Sequence, residues 1–134
     1  MQSSAELVWL VTISIITAAM WMPYVLESFV HRGIFATMGN PSPDALPVPA
    51  WADRAKRAHL NATDNLAIFA AVVFSAVLLN VTGGGVLMAV KIFVFARIAH
   101  YVVYVAGIPV ARTITFLVGF FATLYIGVAA VGVV

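Results

Sequence analysis

Apolar residues come in long unbroken runs along this chain, and the polar residues gather between the runs or at one end of them. A helix needs about 20 predominantly apolar residues to cross the hydrocarbon core of a bilayer. Four stretches satisfy that length, about 5–30, 50–80, 86–107 and 110–134. The pattern predicts an all-α fold, an integral membrane four-helix bundle. Pro23 lies in the second half of span one, where its missing N–H frees a backbone carbonyl and favours a kink. Span two would be ~45 Å long at ~1.5 Å per residue, longer than the hydrocarbon core. Its polar first half must therefore project into water or line a polar cavity.

The connections differ in kind. The stretch HRGIFATMGNPSPDALPVP, residues 31–49, holds four prolines and two glycines, which predicts turns in place of regular structure. Spans two and three are joined by a short turn at Gly83-Gly84-Gly85, and spans three and four by another very short turn. Short connections make sequence neighbours antiparallel, hence an up-down-up-down arrangement.

Composition narrows the class. The 134 residues are 63% hydrophobic and 9% charged, with a mean hydropathy of +1.07, which excludes a soluble globular domain and suits one small membrane domain. With no cysteine there is no disulfide, cysteine nucleophile or Cys-ligated metal. The three histidines show no H-x-x-x-H or H-E-x-x-H spacing, so no metal is expected. Net charge is only +2, too little basic surface for nucleic acid. Glu6 stands where a secretory leader carries basic residues, and the apolar run 7–26 is too long for such a leader, so it is read as a retained span. Arg32, Arg54, Lys56 and Arg57 flank the first connection and Arg112 the third. The positive-inside rule then places loop 31–49 in the cytoplasm and both chain ends on the opposite side.

Helical periodicity sorts the polar residues into faces. At about 100° per residue, Arg54, Arg57, Asn61, Asp64 and Asn65 share roughly a 100° arc of span two, while Lys56 and His59 point elsewhere. Arg97, His100, Tyr101 and Tyr104 share a similar arc of span three. An ionisable group at membrane depth costs about 2.5 to over 10 kcal/mol and so faces a bundle interior or a wet cavity. Arg97 lies mid-span and needs a partner, for which Asp64 and Glu27 are the candidates. A plainer reading stands beside this: Arg54, Lys56 and Arg57 anchor a helix end at the interface, and an Arg97–Asp64 ion pair fixes helix register. Trp51 and Tyr101 read as interfacial aromatics, His31 and His59 as solvated.

These segments resemble a known family. RAKRAHLNATDN at Arg54–Asn65, RIAHYVVY at Arg97–Tyr104 and IPVART at Ile108–Thr113 are similar to the MAPEG superfamily, membrane-associated proteins in eicosanoid and glutathione metabolism. The likeness is to a bacterial-type member of the microsomal glutathione transferase kind, and it implies a homotrimer in a bacterial inner membrane. It also implies glutathione bound between protomers and a lipophilic small molecule, arriving from the bilayer, as the second substrate. Arg57, Asn61, Asp64, Arg97 and Tyr104 match glutathione-contacting positions, and Arg54 and His100, their stripe neighbours, complete the expected binding set. Arg112 and Thr113 resemble the arginine and hydroxyl pair placed near the thiol, so Arg112, Thr113 and Tyr104 are the expected catalytic residues.

That assignment suits the chemistry. Glutathione carries two carboxylates and an ammonium, which arginine forks and an aspartate complement. A free thiol has a pKa of about 8.5 and reacts as thiolate, which a nearby cation or hydroxyl donor stabilises. Leu60 replaces an arginine of the prostaglandin-forming type, Asp64 the usual glutamate, and Asn65 a tyrosine of the leukotriene-forming type. These departures favour a general glutathione-linked activity, transferase or peroxidase, over eicosanoid synthesis. The alternative is a non-catalytic trimeric scaffold or an accessory subunit of a larger membrane complex, for which GVAAVG at Gly127–Gly132 supplies small packing residues.

Overall fold

The computed structural model describes residues 4–132. The helices are α1 (Ala5–Ala19), α2 (Met22–Arg32), α3 (Ile34–Met38), α4 (Ala50–Leu78), α5 (Gly84–Ala106) and α6 (Pro109–Val131), and no strand occurs among the described residues. Four membrane-length helices result, with α1 and α2 together forming the first, Ala5–Arg32.

The break between α1 and α2 has a local cause. Pro23 has no N–H to offer the preceding turn, and residues 20 and 21 form a turn there. The Tyr101 hydroxyl donates to the Met20 carbonyl at 3.1 Å, satisfying a backbone acceptor that hydrocarbon would leave unpaired. Tyr101 is thus a strut between α5 and the kink as well as an aromatic near the membrane surface.

The core runs through all four spans. Ile13 of α1, Phe69 and Val73 of α4, Val90, Phe93 and Val94 of α5, and Ile126 of α6 are buried. At its centre the rings of Phe69 and Phe93 stack with centroids 3.6 Å apart. On α4, Ala52, Ala55, Ala58 and Ala62 are also buried, and their spacing of three and four residues lets neighbouring backbones approach closely. Faces turned outward stay apolar, as Ile15, Ile68, Phe95 and Val128 show, because their solvent is lipid.

The turn between α4 and α5 is tied to the start of α1. The Gly83 N–H, at the orphan N-terminus of α5, donates to buried Glu6 at 2.5 Å, and the Ser4 hydroxyl donates to the other carboxylate oxygen at 2.6 Å. Glu6 is therefore a cap supplied from another helix.

Two expectations are corrected. Proline was expected to exclude regular structure from 31–49, yet the prolines begin only at Pro41, and Ile34–Met38 forms a short helix entered through Gly33 at φ 87°. His59 is half-buried and not solvated: its Nδ1 lies 2.9 Å from the Tyr24 hydroxyl, joining α4 to α2.

Candidate functional site

The two polar stripes meet inside one protomer. Arg97 of α5 is 2% exposed, and one of its terminal nitrogens donates to the Asn61 side-chain oxygen of α4 at 2.5 Å. Its partner is an amide and not Asp64 or Glu27. Asp64 lies exposed on α4, while Glu27 is within 3.7 Å of His31. The other two Arg97 nitrogens are buried and have no hydrogen-bond partner among the described residues. A guanidinium held this way is short of both a counter-charge and two acceptors, a costly state in a low-dielectric interior.

Next to it on α5 sits His100, 3% exposed. Its Nδ1 lies 3.0 Å from the Arg112 carbonyl and 3.2 Å from the Thr115 hydroxyl oxygen of α6. A carbonyl only accepts, so this geometry assigns the ring proton to Nδ1 and leaves the Nε2 lone pair free; Nε2 is buried without a partner. Tyr104 packs edge-on against the imidazole with centroids 5.6 Å apart, and the Arg112 guanidinium lies over the Tyr104 ring at 4.8 Å. That cation–π contact holds the charge in place while leaving its N–H groups available.

Asn61, His100, Tyr104, Arg112, Thr113 and Phe116 line a cavity of about 190 Å³. Three helices build it: Asn61 from α4, His100 and Tyr104 from α5, the rest from α6. The turn at Gly107, φ 78°, brings the end of α5 and the start of α6 together, which is why residues 104 and 112 share one wall.

The remaining expected residues lie elsewhere within the protomer. Arg54 donates from Nε to the Val105 carbonyl at 2.9 Å, so it caps the last turn of α5. A Cβ on Gly107 would sit 3.3 Å from the Arg54 guanidinium, a second reason for glycine there. Arg57 pairs with Asp53 at 2.9 Å on an exposed face, and Asp64 shares the exposed side of α4.

Three residues of α6 were missed. Thr115 receives the His100 ring, Phe116 packs 5.9 Å from the Arg97 guanidinium carbon, and Gly119 makes room for Arg97. With Arg112 they share one face of α6, as the offsets of three and four between 112, 115, 116 and 119 require, but none of the three carries a charge to mark that face. A Cβ on Gly119 would meet the Arg97 side chain at 3.3 Å and Phe93 at 3.7 Å. Gly119→Val is therefore expected to overpack this crossing and lower stability by about 1–3 kcal/mol, with Gly119→Ala milder. Thermal denaturation in detergent checks it, and an unchanged midpoint for the valine variant contradicts the packing described.

Comparison with known families matches residues 5–132 to the model described as the MAPEG family. The chain belongs to the MAPEG family. No curated protein and no solved structure matches it. MAPEG membership and four apolar spans make this an integral membrane protein in contact with lipid. The family is associated with membrane glutathione-transferase and eicosanoid-related chemistry, and its members commonly use glutathione.

Proposed function

We propose that this MAPEG chain is a glutathione-dependent transferase or peroxidase acting on lipophilic electrophiles, with its site completed between protomers of a homotrimer. The observation that carries the reading is buried Arg97, which among the described residues has no carboxylate partner and two unsatisfied nitrogens, and which is hydrogen-bonded to Asn61 in the wall of a polar cavity. A carboxylate of glutathione supplies the missing charge and acceptors. His100, which lines that cavity, keeps a buried Nε2 acceptor with no partner among the described residues.

Glutathione, when bound, provides the thiolate nucleophile; the chain's residues position it and set its protonation. At pH 7 only about 3% of a thiol with pKa 8.5 is ionised. Arg112, held over Tyr104, favours the ionised form; the neighbouring Thr113 hydroxyl donates to the Pro109 carbonyl at 3.2 Å and would turn from it to reach the sulfur. In conjugation to a chloro-dinitrobenzene a C–S bond forms, chloride leaves with the C–Cl electron pair, and the thiol proton passes to solvent.

Support for an assembly comes from what one protomer leaves open. Its cavity is too small to enclose a tripeptide, and Arg57 and Asp64, family-matched positions, face outward on α4. A neighbouring copy across that face would bring them into one cleft. Cations at 32, 54, 56, 57 and 112 support a cleft mouth and loop 31–49 facing the cytoplasm, and the likeness to bacterial-type members supports a bacterial inner membrane.

The test uses the intact oligomer in detergent. Glutathione is expected to raise its thermal midpoint, and the protein to conjugate glutathione to 1-chloro-2,4-dinitrobenzene above the uncatalysed rate. An intact oligomer that gives neither response defeats the proposal.

A further inference from the structure

A second polar cavity lies away from the Arg97 site, under the α3 segment. It measures about 410 Å³ and is lined by residues that include Tyr24, Ser28 and Arg32 of α2, Thr37 of α3, and Asp53 and Lys56 of α4. Most of these groups are already satisfied. The Thr37 hydroxyl donates to the Ser28 carbonyl and the Ser28 hydroxyl to the Tyr24 carbonyl. Tyr24 meets His59, and Asp53 accepts from Arg57. The cations differ. Arg32 uses only Nε, donating to the Leu46 carbonyl at 2.6 Å, and Lys56 takes part in no hydrogen bond or ion pair among the described residues.

The outer side of the same segment is apolar. Phe35 is 93% exposed and Met38 75%, with Ile34 beside them, because these three positions fall on one side of a short helix and Thr37 on the other. Leu26 and Val30, on α2 just before it in span one, are also exposed. Gly33 turns the chain at φ 87°, and the Thr37–Ser28 bond at 2.9 Å pins α3 against α2. Asp44 and Asp53 are the carboxylates in sequence positions 33–56; Asp53 lines the cavity but is engaged by Arg57 at 2.9 Å, which leaves Arg32 and Lys56 without a counter-charge of their own. The result is an interfacial foot: an apolar sole continuous with a membrane span, and a cationic pocket behind it.

Apolar side chains exposed beside a bilayer-spanning helix match acyl chains, and two uncompensated cations behind them match a phosphate at headgroup depth. A free anion in solution would account for the pocket and leave the sole unexplained. We propose that this foot binds an anionic glycerophospholipid, its phosphate held between Arg32 and Lys56. This goes beyond the glutathione reading and does not depend on it.

Native mass spectrometry of the detergent-purified protein, incubated with equal phosphatidylglycerol and phosphatidylcholine, reads lipid retention and oligomer mass together. The wild type is expected to retain phosphatidylglycerol preferentially. Each cation near an anionic lipid is worth about fivefold, so Lys56→Gln is expected to lose about fivefold and Arg32→Gln with Lys56→Gln about thirtyfold, at unchanged oligomer mass. Lys56→Gln breaks no contact within the fold, so its result stands even where the double variant unfolds. Equal retention of the two lipids, or unchanged retention in Lys56→Gln, overturns the proposal. Displacement of the lipid by inorganic phosphate alone points to a solution anion and overturns it too. A changed oligomer mass in Phe35→Ser would show that the sole covers a second copy, with the same consequence.

Discussion

Arg97→Met is expected to weaken glutathione binding roughly thirtyfold or more while leaving the ligand-free protein as heat-stable as the wild type or more so. The two halves of that expectation have one cause. Arg97 is buried at 2% exposure, and among the described residues its sole side-chain hydrogen bond goes to neutral Asn61 and no carboxylate lies within ion-pair distance. Replacing a buried charge that lacks its counter-ion by an apolar residue of similar volume is neutral or stabilising by about 1–4 kcal/mol. For the bound state the sign reverses. Truncating one partner of a desolvated charge pair costs about 2–5 kcal/mol, a loss of roughly thirtyfold or more in affinity. Isothermal titration with glutathione and a thermal scan without it check the two halves separately. If Arg97→Met dissolves the oligomer instead, the residue holds helices together and the scaffold alternative gains.

Arg112→Gln is expected to lower kcat for conjugation about a hundredfold or more, the range for loss of a preorganised charge facing a developing or resident anion. KM for glutathione should change far less, since the thiol end contributes little to holding the tripeptide. The pH profile separates this cause from simple damage. A cation beside a thiol lowers its pKa, so the wild-type rate should reach its plateau below pH 8.5, and removing the cation should move the midpoint up toward the free-thiol value of about 8.5. At alkaline pH the variant should therefore recover part of the lost rate. Arg112→Lys keeps the charge but loses the planar stacking on Tyr104 seen at 4.8 Å, and an intermediate rate is expected. A uniform loss at every pH contradicts the assigned role.

The sequence made the architecture legible because membrane helices are announced by length. Four apolar runs and two short glycine turns leave little choice of topology, and in lipid every span must satisfy its own backbone. The polar faces were legible for a similar reason, since helical spacing alone puts Asn61 with Arg57 and His100 with Arg97. Periodicity gives a face but not the height or tilt of the opposing helix, so it did not select Asn61 over Asp64 as the partner of Arg97. It also assigned Arg54 to the ligand set by direction alone, whereas the side chain reaches past the stripe to the carbonyl of Val105. Gly119 could not be read, because a residue that acts by lacking a Cβ leaves no chemical signature.

Tyr101 and His59 show a further limit. Both are amphipathic side chains near a membrane surface, where an interfacial reading is the default. Each instead spans to the kinked first helix, Tyr101 to the Met20 carbonyl and His59 to the Tyr24 hydroxyl. Neither contact follows from its own helix, since both depend on where Pro23 redirects α2. The family resemblance supplied the names of the site residues, while the structure divides them: Asn61, His100, Tyr104, Arg112 and Thr113 around one cavity, Arg57 and Asp64 outside it.

The most direct measurement is a structure of the purified oligomer determined in excess glutathione. The account predicts tripeptide density between protomers, with a carboxylate on the Arg97 guanidinium and the sulfur beside Arg112 and Thr113. Ordered water, or a neighbouring protomer's own side chain, filling the space at Arg97 with no tripeptide present would contradict it.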